Sequence, residues 1–402
     1  MVGCTVASEA PRRGGVAEVA ATFLVLGCTS FGGPIAHLGY VRAEVVDRRR
    51  WLDDAHYADL VALAQFLPGP ASSQVVFAVG RHRAGLAGAI AASVCFLLPS
   101  ALLMIAAAYG LAALDVRRAG WLHGLTLAAA AVIAQAVWSM GKKLCPDRAR
   151  ITIAFAAAAA VIAIGGGLVQ LGAIATGAAL GWWLYRREPI EPVDDAGPEP
   201  GRRSLGAVAL VVAIALLAVL PAIAALARHQ LVDELDAFYR AGALVFGGGH
   251  VVLPLLRSEL LPRGWLSEDA FLSGYGAAQA LPGPLFSFAA YLGASIPAGI
   301  PAWLNGLWCL FAIFLPGWLL VGGALPFWHD LRRRGWARAA LAGANAAVVG
   351  VLLAALHATL GDTVRTNHDV VAALAAFAAL EHGKLPAWGV VLAMAGAGQW
   401  LL

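Results

Sequence analysis

The residues with the most chemical potential are two copies of one helix-breaking run, Leu67-Pro68-Gly69-Pro70 and Leu281-Pro282-Gly283-Pro284, set in otherwise apolar sequence. Proline lacks the N–H a helix needs, and glycine disfavours helix, so each run interrupts whatever helix carries it. An interruption inside a bilayer exposes N–H and C=O groups that lipid cannot satisfy, and it survives only where it lines protein or a wet cavity. Freed N–H groups at the start of a half-helix, at the positive end of its dipole, are suited to holding an anion. Gln65 and Gln279 each lie three residues before a break and supply neutral amide donors one helical turn away. Phe-Gly-Gly runs accompany both: Gly32, Gly33 and Pro34 with His37 close by, and Gly247, Gly248 and Gly249 followed by His250. The two histidines stand at non-equivalent positions, so anion contact or pH sensing competes with ordinary helix-end packing. Arg42 with Glu44, and Arg257 with Glu259, recur as matched pairs. They could form a gate or an anion-attracting vestibule, or fix loop geometry through a surface ion pair worth under about 1 kcal/mol.

Composition sets the solvent for this chemistry. Hydrophobic residues make up 60% of the 402, charged ones 13%, and mean hydropathy is +0.75. A soluble domain carries about a quarter charged residues, so the chain reads as an all-α polytopic membrane protein whose environment is the lipid bilayer. A net charge of +4 in scattered short clusters argues against nucleic acid as a partner. Five dispersed cysteines without a Cys-x-x-Cys or Cys/His grouping suggest neither disulfide framework nor metal site, and no cofactor is expected. Deep Asp or Glu of the sort that binds sodium or relays protons is nearly missing from the apolar runs. Serine-hydrolase and zinc-protease motifs do not occur, which excludes the common enzyme classes.

A ruler of about 20 residues per crossing predicts about thirteen transmembrane helices, among them 16–34, 57–80, 237–253 and 269–294. The stretch 185–204, rich in Pro and acidic residues between arginine pairs, cannot be a span. It divides the chain into an N-terminal repeat, 1–184, a cytoplasmic linker, 185–204, and a C-terminal repeat, 205–402. The halves are copies: Phe31–Pro70 aligns with Phe246–Pro284 with one gap, and fifteen of forty positions are identical, including Arg42/Arg257, Glu44/Glu259, Trp51/Trp265 and Gln65/Gln279. Thirteen simple crossings from a cytoplasmic N-terminus place 19 of the 28 Lys and Arg inside and give halves of inverted topology with a periplasmic C-terminus. Treating both Leu-Pro-Gly-Pro segments as re-entrant makes the halves parallel and places 17 inside. The first arrangement is preferred. Inverted repeats meeting at broken helices are the architecture of many secondary transporters.

The order FGGPIAH, RAE, RRRWLDD, ALAQFLPGP, then FGGGHVVLPLLRSE, RGWLSEDAF, AQALPGP and FLPG resembles the chromate ion transporter family in its long, two-domain form, over nearly the whole chain. The resemblance implies a bacterial inner-membrane protein that exports chromate and confers chromate resistance, with sulfate as the chemically similar oxyanion. Other oxyanions and an anion channel remain as alternatives, and a homodimer is left open. It also implies substrate-binding roles for Gly32, Gly33, Pro34, Gln65, Pro68, Gly69, Pro70, Gly247, Gly248, Gly249, Gln279, Pro282, Gly283 and Pro284.

Overall fold

A computed structural model describes residues 14–30, 33–113, 120–165, 167–186, 203–245, 251–331 and 334–400. Within these, all regular structure is helical. The first half contains α1 (Val16–Thr29), α2 (Gly33–Arg42) continuing into a π-helical turn (Ala43–Arg48), α3 (Asp54–Phe66) and α4 (Ala71–Ala113). It closes with α5 (Gly120–Leu144), α6 (Arg148–Ile164) and α7 (Gly167–Tyr185). After α8 (Arg203–Ala227), the second half repeats the order: α9 (Gln230–Ala243), α10 (Val252–Leu260), α11 (Glu268–Ala280), and a 3₁₀ turn (Leu285–Ser287) leading into α12 (Phe288–Ser295). Then come α13 (Ala302–Ala324), the short α14 (Trp328–Leu331), α15 (Gly335–Thr363), α16 (Asn367–Glu381) and α17 (Ala387–Trp400).

Local sequence explains the matched starts. Asp53 and Ser267, equivalent in the repeat, cap α3 and α11 by accepting the N–H of His56 and of Ala270. Asp147 caps α6, and Thr366 with Asp369 forms a capping box on α16. Gly85, at φ +66°, kinks α4 at Ala84–Gly85.

Contacts at the helix ends define the topology. At one end, the Gly14 N–H donates to the Arg83 carbonyl (3.1 Å), and Glu18 pairs with both Arg83 (3.1 Å) and Arg49 (3.4 Å). The two guanidiniums lie over the Trp51 ring, and the His56 and His82 rings are 6.2 Å apart. So α1 leaves this end and α2 returns to it; α3 leaves it and the first part of α4 returns. At the opposite end, Gln230 Nε2 donates to the Pro297 carbonyl (2.7 Å), Trp308 Nε1 to the Leu231 carbonyl (2.9 Å) and the Tyr291 hydroxyl to the Ala270 carbonyl (3.1 Å). The pairs α9–α10 and α11–α12 are hairpins from that end. Past its kink α4 runs between the ends, and Tyr109 meets the Trp303 N–H at the start of α13. The return of α13 brings Gly322 to Arg81 (2.6 Å) and Trp328 to Asp59 (3.0 Å).

The expectation of thirteen successive crossings is corrected by these contacts. The segments 16–34 and 57–80 do not carry the chain across: α1 has 14 residues and α3 13, about 20 Å of helix, and each is followed by a helix running back. Hydropathy cannot distinguish an apolar hairpin from an apolar crossing. By length and composition, five described helices are able to span a bilayer, within Ala71–Leu111, His123–Leu144, Arg203–Ala227, Ala302–Asp330 and Gly335–Gly361. The outer faces carry exposed Leu86, Ile90, Val208, Val211 and Ile214, as lipid contact requires.

The halves interlock. Helix α5 packs on α16 and α17 of the other half, and α15 on α6 and α7. Small residues allow the close approach: Gly177 and Gly181 against Gly343, Gly124 against Gly398.

Candidate anion site at the crossed breaks

Helix α3 ends at Phe66 and α4 begins at Ala71; α11 ends at Ala280 and the helical turn resumes at Leu285. The Leu-Pro-Gly-Pro runs fill the gaps, with Gly69 at φ +122° and Gly283 at φ +107°, conformations that side-chain-bearing residues rarely adopt. Beyond each break the helix restarts from the second proline: the Gln74 N–H donates to the Pro70 carbonyl (2.9 Å) and the Ser287 N–H to the Pro284 carbonyl (2.9 Å). The N–H groups immediately after each proline therefore have no intrahelical acceptor.

The two breaks are exchanged between halves. The Gly69 N–H donates to the Val245 carbonyl at 2.7 Å, and the Gly283 N–H donates to the Ser30 carbonyl at 2.8 Å. Val245 and Ser30 are equivalent, each preceding its Phe-Gly-Gly run. Each break is thus pinned to the end of the first helix of the opposite repeat. Behind them stand matched prolines within helices, Pro99 of α4 and Pro316 of α13. The residues that follow, Ser100 and Gly317, face Gly283 and Gly69 respectively.

Buried polar atoms without a hydrogen-bond partner gather on these elements: Ser30 Oγ, both ring nitrogens of His37, Ser73 Oγ, Gln74 Oε1 and Gln279 Nε2. Leaving such groups unpaired costs about 1–3 kcal/mol each, so these atoms are available to a polar partner. Other polar atoms there hold the frame. Gln74 Nε2 donates to the Pro68 carbonyl at 2.8 Å, and Ser100 Oγ and Ser287 Oγ are 2.6 Å apart.

The expected site residues divide into three groups. Pro68, Gly69, Pro70, Pro282, Gly283 and Pro284 form the breaks; His37 is fully buried at the end of the first hairpin, edge-on to Phe96, with the Ser30 backbone as a polar neighbour. Gln279 is half-buried beside Tyr275, whereas Gln65 is exposed on α3, so the matched glutamines do not share an environment. Gly33 and Pro34 open α2. Gly32, Gly247, Gly248, Gly249 and His250 lie outside the described residues. Arg42, Glu44, Arg257 and Glu259 sit at the outer ends of the hairpins. Arg42 Nε donates to Asp54 (2.9 Å) and Arg257 pairs with Glu268 (2.9 Å), matched residues in the first turns of α3 and α11. Glu44 pairs with Arg48 and Arg49, and Glu259 with Arg240 and Arg263. Neither arginine pairs with the glutamate two residues on.

Sequence reasoning passed over Ser30, Ser73, Gln74, Ser100 and Ser287. Ser73 and Ser287 were detectable as matched positions three residues after each run, and Ser100 as the residue after the proline of FLLPS. The near absence of deep acids is also corrected: Glu234 and Asp236 on α9 are 0% and 2% exposed. Their segment reads as polar because its apolar face is only one side of a short helix.

Apolar helices, five of them long enough to cross a bilayer, define a multi-pass membrane protein. The chain belongs to the chromate transporter family, whose sequence profile matches residues 17–182 and 232–399. It is 30% identical over 403 residues to a chromate transport protein of Pseudomonas aeruginosa, covering 96% of this chain and 92% of that one. Identity to a chromate transport protein of Cupriavidus metallidurans is 27% over 346 residues, 83% and 80% of the two chains. A probable chromate transport protein of Synechococcus elongatus is 28% identical over 312 residues, 76% and 74% of the two. No solved structure matches the chain.

Proposed function

We propose that this protein carries chromate out of the cytoplasm across a bacterial inner membrane, through a site at the two crossed breaks. The observation that carries the reading is the reciprocal pair of bonds from Gly69 to Val245 and from Gly283 to Ser30, ringed by buried polar atoms that lack partners. A tetrahedral dianion presents four oxygen acceptors. Backbone N–H groups at two helix starts, serine hydroxyls, the His37 ring and the Gln279 amide are donors of the kind it needs. The first repeat's hairpins enter from one end and the second's from the other, an inverted arrangement in which movement of the hairpins against the interlocked helices opens the site alternately to each side.

In this reading nine helices cross (α4 beyond its kink, α5 to α8, α13 and α15 to α17) and two pairs of hairpins reach only the middle. The ends holding Arg83 and Arg49 carry most of the positive charge. Of the twenty described Lys and Arg, only Arg228, Arg240, Arg257, Arg263 and Arg365 belong to the opposite side. The bias of fifteen to five assigns the Arg83 side to the cytoplasm and the α17 end to the periplasm. The two repeats, 1–184 and 205–402, and a cytoplasmic linker between them are retained.

The test is radiolabelled chromate flux in proteoliposomes of purified protein. Saturable flux competed by sulfate, together with chromate resistance in cells expressing the protein, is expected. Non-saturating flux would assign a channel instead, and flux of sulfate without chromate would overturn the substrate.

A further inference from the structure

We infer that Glu234 is a proton-binding site that couples anion movement to protons, an inference resting on the transport reading above. Glu234 lies on α9, one turn from the end that meets Pro297, and is completely buried. A carboxylate removed from water is retained only if paired, coordinated or protonated. No Lys, Arg or His among the described residues reaches it within ion-pair distance. Its neighbours are neutral donors: Gln230 Nε2 at 3.0 Å from Oε1, Cys309 Sγ at 3.6 Å from Oε2, and the Asn305 side chain.

Asn305 supplies the second, independent observation. This residue is 0% exposed, its Nδ2 is committed to the carbonyls of Gly293 (2.9 Å) and Ile296 (3.4 Å), and its Oδ1 is buried without a partner. A free acceptor beside a buried carboxyl group is the complement of an O–H donor. When ionised, Glu234 is held by Gln230, Cys309 and the Asn305 side chain; when protonated, it gains an O–H that the free Asn305 Oδ1 can accept. Both states thus have partners, as a reversible proton site requires.

Other charges nearby leave Glu234 available. On α9, Asp236 and Arg240 bond each other at 2.7 Å, and Arg240 also holds Glu259 of α10 at 2.9 Å. Asp233 adds a like charge next in sequence. From α13 the titratable group is Cys309; α8 has its one charged residue, Arg203, at the far end, and α12 contributes Tyr291, whose hydroxyl is given to Ala270. The link to the anion site is covalent and short. Helix α9 carries the chain from Glu234 to Ala243, nine residues or about 14 Å of helical rise, and two residues further on the Val245 carbonyl holds Gly69. A proton taken from or returned to water at the Gln230 end changes the packing of α9 on α13, and with it the pin on the first break.

The measurement has two arms. Infrared difference spectra of the purified full chain between pH 5 and pH 9 should show one buried carboxylic acid C=O band that titrates, absent in Glu234→Gln and displaced in Asn305→Ala; this readout needs no transport. No Glu234-dependent band would overturn the inference, whatever the flux. In proteoliposomes at equal pH on both sides, wild type and Glu234→Gln should exchange chromate alike. A one-unit pH gradient should then drive about tenfold chromate accumulation per coupled proton in wild type, and none in Glu234→Gln. Equal gradient-driven accumulation in both would refute the coupling while leaving chromate transport standing. Loss of flux in all arms, with the band intact, would count against the transport reading and not against the proton site.

Discussion

The two break glycines occupy equivalent positions but not equivalent spaces, and this yields a quantitative expectation. A methyl group on Gly283 would lie 2.4 Å from Ser100 Cβ and 2.7 Å from Ser100 Oγ; on Gly69 its nearest neighbour is Gln74 Nε2 at 2.9 Å, then Gly317 Cα at 3.4 Å. Both substitutions place alanine in a glycine-only conformation, at about 1–3 kcal/mol each. Gly283→Ala adds a carbon–carbon approach more than 1 Å inside contact distance against a helix, an overpacking cost of about 1–3 kcal/mol. Gly69→Ala avoids most of this because the Gln74 amide sits at the end of a flexible side chain. Gly283→Ala should therefore cost about 2–6 kcal/mol and Gly69→Ala about 1–3, read as thermal unfolding in detergent and as chromate flux. Replacing Ser100 by glycine, the residue its counterpart Gly317 already is, should recover the steric share in the double variant, less about 1 kcal/mol for the lost Ser100–Ser287 hydrogen bond. Equal tolerance of alanine at the two glycines, or no recovery from Ser100→Gly, would refute the crossed arrangement of the breaks.

The glutamines should also separate. Gln279→Glu puts a carboxylate beside the proposed anion, where like charges about 4 Å apart repel by about 4 kcal/mol at an effective dielectric near 20. Chromate binding measured at pH 8 should fall at least about a hundredfold and recover as pH is lowered and the carboxyl protonates, while Gln65→Glu on the exposed face of α3 leaves affinity within a few-fold; comparable losses in both would return Gln65 to the site. For topology, single cysteines at Asp53 and Lys142 should react with a membrane-impermeant maleimide only from the cytoplasmic side, and one at Gly299 only from the periplasm. Periplasmic labelling at Asp53 would restore a crossing by 16–34.

What was legible in the sequence, and what was not, follows from the range over which each signal acts. The breaks at 67–70 and 281–284 are local chemistry: a proline–glycine–proline run has no helical conformation, and repetition in both halves identified it as one device used twice. Helix caps at Asp53 and Ser267 are likewise encoded within three residues. The direction of the next helix is not local. After Ser30 the chain turns back and Glu18 meets Arg49 and Arg83, yet the hydropathy of 16–34 is that of any span, because a hairpin buried among apolar neighbours needs the same apolar side chains. Charge could have exposed the error: gathering Arg42, Arg48, Arg49 and Arg50 on the side of Arg81 and Arg83 sharpens the positive-inside bias that the thirteen-span arrangement dilutes. The partner of each break was beyond reach for a different reason. Gly69 bonds Val245 and not Ser30, a choice made by the docking of one half on the other, and internal repetition makes both choices look alike. The same docking places Ser100 opposite Gly283 and Gly317 opposite Gly69, so a duplicated sequence yields a site whose two walls differ by one hydroxymethyl group. It also buries Glu234 in the second half at the position where the first half has Val19. In the proposed transport cycle the repeat supplies the two-sided frame, and the departures from it are where a direction of transport can be written.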